Sequence, residues 1–217
     1  MSDRKEVLFK VAQRILAVHS SNQITKVAVD GVDGAGKSVF ASELGKILQY
    51  LGEVVIHTSV DLFHNSKAIR YRLGSSSPQG FFLDSYNYSI LKKILLEPLS
   101  FGGNRLYRKA AFNCKTDYSV NVPLEVAELG SILVFDGIFL HRPEIRTYWD
   151  YSIFLDVDFK ISVPRGNQRF GGSPNPNCES NRRYVEGQKI YLSKCKPEEQ
   201  ASIVINNEEF DSPYIVA

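Results

Sequence analysis

Hydrophobic residues recur in two alternating patterns along the first part of the chain. At 3–19 they return every three or four positions, which predicts an amphipathic helix. A short β-branched run at 24–30 predicts a buried strand, and a second amphipathic stretch predicts a helix over 37–51 that ends before Gly52. The next apolar run, at 53–58, predicts another strand. This alternation is typical of a parallel sheet covered by helices.

The alternation of helices and strands continues through the second half. Two continuous apolar runs predict strands that are buried on both faces. The further elements predicted are a helix from Asn87 to Glu97, strands at 131–136 and 151–156, a helix over 181–194 and a short strand at 201–205. We therefore expect one α/β domain spanning 1–217, with a parallel sheet flanked by helices.

Two segments lack a clear period. Residues 101–118 contain glycine and arginine without hydrophobic periodicity, so they predict short strands or a loop. Residues 167–181 combine glycines with Pro174 and Pro176, which predicts a mobile segment.

A glycine-rich motif lies between the first predicted strand and the helix that follows it. Residues 31–38 read GVDGAGKS and fit the phosphate-binding pattern G-x-x-x-x-G-K-[ST]. Glycines let backbone N–H groups surround a phosphate, Lys37 can reach the β- and γ-phosphates, and Ser38 can bind Mg²⁺. The alternative is a glycine-rich turn with an incidental Gly-Lys-Ser. The predicted nucleotide-binding residues are Gly31, Asp33, Gly34, Ala35, Gly36, Lys37, Ser38 and Val39.

Two carboxylates follow other predicted strands. Asp136 ends the apolar strand at 131–136, where a second metal-binding carboxylate is expected, although an ordinary strand-end Asp would look the same. Asp61 comes just after the strand at 53–58 and would face the γ-phosphate at the carboxyl edge of the sheet. There it could accept a proton from an acceptor hydroxyl, or simply cap a turn. His64 could line the acceptor pocket or be an exposed loop histidine.

The composition restricts the kinds of partner that the chain is expected to bind. The 217 residues carry 26 Lys+Arg against 24 Asp+Glu, a formal net charge of +2, which argues against binding to a nucleic-acid backbone. No apolar run approaches the roughly 18 residues needed to span a bilayer, and the charged N-terminal sequence does not resemble a signal peptide. The three cysteines are widely spaced and suit a reducing cytoplasm. We therefore expect a cytoplasmic protein with a small-molecule substrate, and homo-oligomer formation stays open.

Several motifs, taken in order, resemble one family. GVDGAGKS at 31–38, DLFH at 61–64 and DGIFL at 136–140 are similar to the uridine kinase and phosphoribulokinase family of P-loop kinases, especially to bacterial uridine kinase-like proteins. Further matching segments are 70–71, 77–82, 84–86, 98–99, 142–144, 149–150 and 183–184, so the resemblance covers nearly the whole chain.

The resemblance implies a P-loop NTPase fold with a small lid at about 160–183. It implies transfer of the γ-phosphate of ATP, with Mg²⁺, to a hydroxyl, most simply the 5′-hydroxyl of a nucleoside. Ser38 and Asp136 would hold the metal, and Asp61 would act as the base. Further roles implied are sugar-hydroxyl binding by Asp84, ring stacking by Phe112, charge neutralisation by the lid residues Arg165 and Arg169, and substrate contact by Arg183.

The match is incomplete at two places. Residues 112–117 (FNCKTD) hold no histidine, whereas uridine kinases use a Tyr and a His there, so base recognition is open. Pro164 is expected to kink a lid helix that begins near Asp158. Asp84 could also be a helix N-terminal charge, and Arg165 and Arg169 could be surface arginines.

Two alternative functions therefore remain. One is a kinase of the same fold with a pantothenate- or phosphoribulose-like acceptor. A phosphorylated acceptor would need basic side chains, for which the candidates are Arg70, Arg72, Arg105, Arg108 and Lys109. The other is a nucleotide-binding regulator with slow hydrolysis and a protein partner.

Overall fold

The computed structural model describes residues 4–216, apart from the side chains of residues 169 and 170. In these residues the helices are α1 (Arg4–Val18), α2 (Lys37–Tyr50), α3 (Lys67–Arg70), α4 (Pro78–Asp84), α5 (Tyr88–Leu91), α6 (Phe159–Phe170), α7 (Glu179–Cys195) and α8 (Pro197–Gln200). The strands are β1 (Thr25–Gly31), β2 (Val55–Ser59), β3 (Leu106–Tyr107), β4 (Phe112–Asn113), β5 (Tyr118–Ser119), β6 (Glu125–Val126), β7 (Ile132–Asp136), β8 (Tyr151–Asp156), β9 (Ile203–Asn206) and β10 (Tyr214–Ile215).

A six-stranded sheet runs through the centre in the order β10-β9-β8-β1-β7-β2. Its strands pair in parallel except for β10, which is antiparallel to β9 at one edge. All residues of β1 and β7 are buried, which explains why these strands read as continuous apolar runs. The predicted α/β class with a helix-flanked parallel sheet is confirmed.

Helices cover both faces of the sheet. Residues of α1 and α2 pack with one face, including Val11, Phe40 and Leu44. On the other face the core is aromatic and includes Phe81 of α4, Phe139 and Tyr191 of α7. Burial of these large apolar side chains is the main stabilising contribution to such a layered fold.

The strand order positions the site. β7 lies between β1 and β2 and is parallel to both, so the ends of these three strands meet at one edge. The β2–β7 register places Ser59 opposite Asp136. The loop after β1, Asp136 at the end of β7 and the turn after β2 therefore lie side by side.

The segments without periodicity form small irregular elements. After α5 the chain continues as a π-helix, Lys92–Leu96, and Asn87 caps α5 through a 3.0 Å hydrogen bond from the Ile90 amide. Residues 101–126 include two short antiparallel pairs, β3–β6 and β4–β5. α6 continues through Pro164, and the Asp158 side chain caps its first turn. Within the described residues, no helix is long and apolar enough to cross a membrane.

Candidate active site

The glycine-rich loop wraps the N-terminus of α2. Gly34 and Gly36 have φ values of +78° and +89°, a region that glycine adopts without strain. Gly36 precedes α2 without any side-chain cap, so the first amides of this helix are directed into the loop. This is the arrangement of backbone N–H groups that binds phosphate.

Neighbouring elements hold this loop closely. A Cβ on Gly34 would lie 1.9 Å from the Ser162 carbonyl oxygen, so α6 lies directly against the loop. The Gln188 side chain of α7 accepts a 2.6 Å hydrogen bond from the Asp33 amide. The Lys37 ammonium donates to the Val32 carbonyl at 2.8 Å. The loop thus contacts both α6 and α7.

Asp136 joins the loop to β2. Its carboxylate is 2% exposed and accepts a 2.6 Å hydrogen bond from the Ser38 hydroxyl. The other carboxylate oxygen is 2.9 Å from Nε2 of His57, an exposed histidine on β2. The two predicted metal ligands therefore lie in direct contact, and His57 fixes the orientation of the carboxylate between them.

Asp61 lies on the other side of the same cavity. It belongs to a short 3₁₀ turn, Val60–Phe63, that follows β2, and its carboxylate accepts a 3.1 Å hydrogen bond from the Tyr86 hydroxyl. Burial raises the pKa of Tyr86 well above its ordinary value, and the nearby carboxylates of Asp61 and Asp33 raise it further. Tyr86 is therefore a neutral phenol that can only donate to Asp61 while that carboxyl is ionised.

His64 supports the same turn. Its Nδ1 donates to the Asp61 carbonyl at 2.8 Å, and its ring packs on the Tyr86 ring with centroids 4.6 Å apart. Desolvation lowers the pKa of His64, although the Asp61 carbonyl and carboxylate act in the opposite direction. A neutral His64 leaves Nε2 available as a hydrogen-bond acceptor.

Asp33 has an unusual environment for a loop carboxylate. The residue is exposed at its surface, but the protein around it partly desolvates the carboxylate and raises its pKa. Lys37 lowers this pKa, Asp61 raises it, and His64 lowers it by a smaller effect. Asp33 and Asp61 thus line the same cavity as Asp136 and Lys37.

The cavity itself has a volume of about 340 Å³. Its walls come from the glycine-rich loop, the strand ends and α6. The lining residues are Asp33, Gly34, Gly36, Lys37, Ser38, Asp61, Asp136, Gly137, Ile138, Arg165, Gly166, Gln168 and Phe210. It brings together the predicted phosphate, metal and base residues.

The residues after β9 close the far end of the cavity. Arg4 lies 4.1 Å from the ring centroid of Phe210 and donates to the Asn207 side-chain oxygen at 3.0 Å. Asn207 in turn donates to the Ala35 carbonyl at 2.7 Å. α1 and the chain after β9 therefore fix the loop from behind.

Arg165 lines the cavity but is held at its edge. Its guanidinium donates to the Asn207 carbonyl at 2.9 Å and to the Glu208 carbonyl. The predicted role of Arg165 in neutralising charge requires this side chain to leave those carbonyls. The side chain of Arg169, predicted with it, lies outside the described residues.

Several predicted residues lie outside the cavity lining, namely Gly31, Ala35, Val39, His64, Asp84, Phe112 and Arg183. Asp84 forms a two-bond ion pair with Arg72, at 2.8 and 2.9 Å. Phe112 is buried on β4, one residue after the Ala111 amide that donates to the Leu62 carbonyl. Val39, predicted with the loop, lies in the first turn of α2.

Arg183 is bound to backbone. Its guanidinium donates to the carbonyls of Arg70, Gly74 and Ser77 at 2.8–3.2 Å, and it is 5% exposed. These bonds fasten α7 to the segment between α3 and α4. Its predicted contact with substrate would have to be made with the remaining N–H groups.

Sequence reasoning missed several residues of the site. Four whose side chains shape it are His57, Tyr86, Gln188 and Phe210. The sequence shows of His57 only that it shares a strand face with Ser59, which does not assign it to the site. The other three reach the site through tertiary packing.

The donor set fits Mg²⁺. The Ser38 hydroxyl and Asp136 carboxylate supply hard oxygen atoms beside the phosphate-binding loop, which is how a metal held mainly by phosphates and water is bound. The part of the chain that the structure describes contains no group of three or more His, Cys, Asp or Glu able to hold a metal. Any metal here would depend on the nucleotide for further ligands.

Comparisons with known proteins identify relatives of the fold among solved structures. No model of a protein family matches the sequence, and no curated protein matches it. Among solved structures, a possible uridine kinase from Bacillus stearothermophilus superposes with a TM-score of 0.74 at 19% identity, covering 92% of this chain and 97% of that one.

Two further solved structures share the fold. D-glycerate 3-kinase from Cryptococcus neoformans has a TM-score of 0.61 at 13% identity, with 97% and 98% of the two chains covered. Phosphoribulokinase from Rhodobacter spheroides has a TM-score of 0.58 at 14% identity, covering 86% of this chain and 71% of that one. At these identities the likeness shows the fold.

Proposed function

Starting from the fold that this chain shares with the uridine kinase and phosphoribulokinase group of P-loop kinases, we propose that it transfers the γ-phosphate of MgATP to a hydroxyl of a small molecule. The observation that carries this proposal is the placement of Asp61 on the same cavity as Lys37, Ser38 and Asp136. This arrangement puts a proton acceptor opposite a phosphate-binding loop and a metal-ligand pair.

The phosphate-binding loop holds the nucleotide. Amides of the loop and of the first turn of α2 bind the β- and γ-phosphates, and Lys37 turns from the Val32 carbonyl towards them. Ser38 and Asp136 hold Mg²⁺, which neutralises phosphate charge when bound. His57 keeps the Asp136 carboxylate turned towards Ser38.

Asp61 acts as the base for the acceptor hydroxyl. The acceptor oxygen attacks the γ-phosphorus, the bond from phosphorus to the bridging oxygen breaks, and ADP leaves. The acceptor's proton passes to the Asp61 carboxylate. Tyr86 holds that carboxylate through its hydroxyl, which positions Asp61 before the acceptor binds. Arg165 moves from the carbonyls of Asn207 and Glu208 to the transferred phosphoryl group.

We favour the 5′-hydroxyl of a nucleoside as the acceptor group. The family resemblance assigns the sugar hydroxyls to Asp84 and the base to Phe112. Both residues are buried outside the cavity lining, Asp84 in its ion pair with Arg72, so they would contact a nucleoside only after this part of the chain rearranges. A non-nucleoside acceptor is the second candidate, supported by the fold shared with D-glycerate 3-kinase.

An ATP-consumption screen tests the proposal. Purified protein with MgATP is given nucleosides, sugars and vitamin alcohols one at a time, and ADP release is measured with and without each acceptor. We expect release that depends on the acceptor, together with a phosphorylated product by mass spectrometry. Slow ADP release that no acceptor changes would instead support a nucleotide-binding regulator.

A further inference from the structure

The shared fold accommodates acceptors of different charge, so the charge of the acceptor must be inferred from this chain's own residues. We propose that the acceptor is an uncharged polyhydroxy alcohol, such as a nucleoside or a sugar, and that phosphate- and carboxylate-bearing acceptors are excluded. This inference rests on the proposed kinase function and concerns the acceptor side of the same cavity. It follows from the partners of the basic side chains around Asp61.

Arg70 lies near His64, the residue that follows the Val60–Phe63 turn. Its guanidinium lies close enough to His64 to lower the pKa of that ring. It is nevertheless buried, donates to the Asn65 carbonyl at 2.9 Å and forms an ion pair with Asp117 at 3.2 Å. An anionic acceptor would have to compete with an acidic residue that is already in place.

Arg72 is neutralised more strongly. Two parallel N–H groups bind both oxygens of Asp84, and the Asp84 side chain is only 6% exposed. Moving Arg72 to an anionic acceptor would leave a buried carboxylate without its counter-charge, which is unfavourable. The ion pair therefore makes Arg72 unavailable to an anionic acceptor.

The remaining basic candidates are also engaged. Lys109 pairs with Glu125 at 2.9 Å, and Arg105 donates to the Ala127 carbonyl. Arg108 donates to Asn121 and to the Val122 carbonyl. Lys67 and Lys115 carry no ion pair in the described part of the chain, but neither lines the cavity.

Two acidic residues of the cavity differ from these basic residues in their partners. Among the described residues, neither Asp33 nor Asp61 forms an ion pair with a basic side chain. Among the side chains that the structure describes, Lys37 and Arg165 are the only Lys or Arg residues lining the cavity, and both are bound to backbone carbonyls and assigned to the nucleotide, whereas Asp33 and Asp61 face the cavity without a basic partner. These carboxylates repel an anionic acceptor, and their oxygens accept hydrogen bonds from hydroxyls.

Matched pairs of acceptors test the proposal directly. ADP release is measured for uridine against uridine 3′-phosphate, panthenol against pantothenate, ribulose against ribulose 5-phosphate, and glycerol against glycerate. We expect kcat/KM for the uncharged member of any productive pair to exceed that of the anion by about tenfold or more, as one unfavourable charge contact predicts. A preference for the anionic member would overturn the inference.

Asp117→Asn supplies a matched variant. Asn is nearly isosteric, tolerates the φ of +59° at this position, and keeps an oxygen for the Lys67 amide and Arg70. Removing its charge leaves Arg70 uncompensated, so the preference for the uncharged member should fall about threefold or more. Glu199→Gln removes the same charge beside Lys196 on the surface and should leave the preference unchanged. An unchanged preference in Asp117→Asn would argue against control by the ion pairs.

A binding measurement separates this inference from the proposed function. With the nucleotide site saturated by a non-hydrolysable ATP analogue and Mg²⁺, inorganic phosphate is titrated at constant pH while the His64 ring resonances are followed by NMR. We expect no saturable shift up to millimolar phosphate in the parent protein. A saturable shift would contradict the inference whatever the acceptor screen shows, whereas failure of every acceptor with no phosphate binding would count against the kinase proposal alone.

Discussion

The Asp136 carboxylate forms hydrogen bonds with two side chains that are distant from it in sequence. Ser38 binds one carboxylate oxygen at 2.6 Å and His57 the other at 2.9 Å. The glycine-rich motif predicted Ser38, and the position at the end of a buried strand predicted Asp136. Both predictions were possible because a metal beside a bound phosphate requires oxygen-bearing side chains. His57 could not be assigned in the same way, since its contact depends on β2 and β7 being neighbours in the sheet.

Lys37 is the most direct residue-scale test of the phosphate-binding loop. Lys37→Ala should weaken nucleotide binding or turnover by about 100-fold, because it removes the cation that pairs with the β- and γ-phosphates. Isothermal titration with MgATP and steady-state kinetics measure the change. Lys46→Ala, an exposed position on α2, should behave like the parent. Unchanged kinetics in Lys37→Ala would remove the phosphate-binding interpretation.

Asp33 predicts a pH-dependent cost to stability. Its pKa is raised above the ordinary value of 3.8 by desolvation, so the unfolded chain releases this proton at lower pH than the folded protein does. The cost is therefore absent below pH 3.8, develops as pH rises through the folded-state pKa, and is fully present above it.

Asp33→Asn should accordingly raise the midpoint of urea unfolding at pH 7.5. Its advantage should shrink as the buffer is made more acidic. Unfolding curves of both proteins between pH 7.5 and 4.5 check this prediction. An advantage that stayed constant or grew towards acid pH would show that Asp33 is not held at a raised pKa.

At the scale of elements, α7 contacts both the glycine-rich loop and the segment between α3 and α4. Gln188 binds the Asp33 amide, and Tyr191 donates to the buried carboxylate of Asp30, the residue before the loop. Arg183 holds the segment between α3 and α4. Hydrophobic periodicity predicted this helix within two residues at its start, but it carried no information about these long-range contacts.

Close packing of α7 on α4 requires Gly187. A Cβ there would lie 2.8 Å from both the Phe81 ring and the Pro78 carbonyl. Gly187→Ala should therefore destabilise the protein by about 1–3 kcal/mol, as overpacking does. Gly45→Ala, inside α2 with only Val55 at 3.6 Å, should instead stabilise by up to about 1 kcal/mol through helix propensity.

Chemical denaturation of both glycine variants measures the difference. Opposite signs are expected from the same chemical change, because only Gly187 lies at a tight helix–helix contact. Equal stabilities for the two variants would mean that α4 and α7 are not packed as closely as the structure has them.

The elements that sequence predicted well are the ones whose signals are local. Strands at 131–136 and 151–156 match β7 and β8 within one residue, because burial on both faces demands continuous apolar runs. The pairs β3–β6 and β4–β5 are two residues per strand and have no period to detect. Pro164 was expected to kink the lid helix. α6 continues past Pro164 to residue 170, so the missing amide donor does not end the helix, and the kink itself stays a prediction.

At the scale of the whole molecule, the insertion of β7 between β1 and β2 creates the site. Three segments that are separated by up to 105 positions, from Gly31 to Asp136, end at the same edge of the sheet. Sequence order alone suggested that β1 and β2 converge there, and it could not supply their separation by β7. The near-neutral charge of +2 fits this arrangement, since phosphate binding is assigned to backbone amides and a few side chains.

The Asp61→Asn variant tests the central claim most directly. The amide keeps an oxygen for the Tyr86 hydroxyl but cannot accept the acceptor's proton. With MgATP and the best acceptor from the screen, transfer should fall by about 10²–10⁴ while the MgATP dissociation constant stays within about twofold of the parent. Full transfer activity in Asp61→Asn would contradict the account, because the cavity would then carry out its chemistry without the carboxylate placed opposite the phosphates.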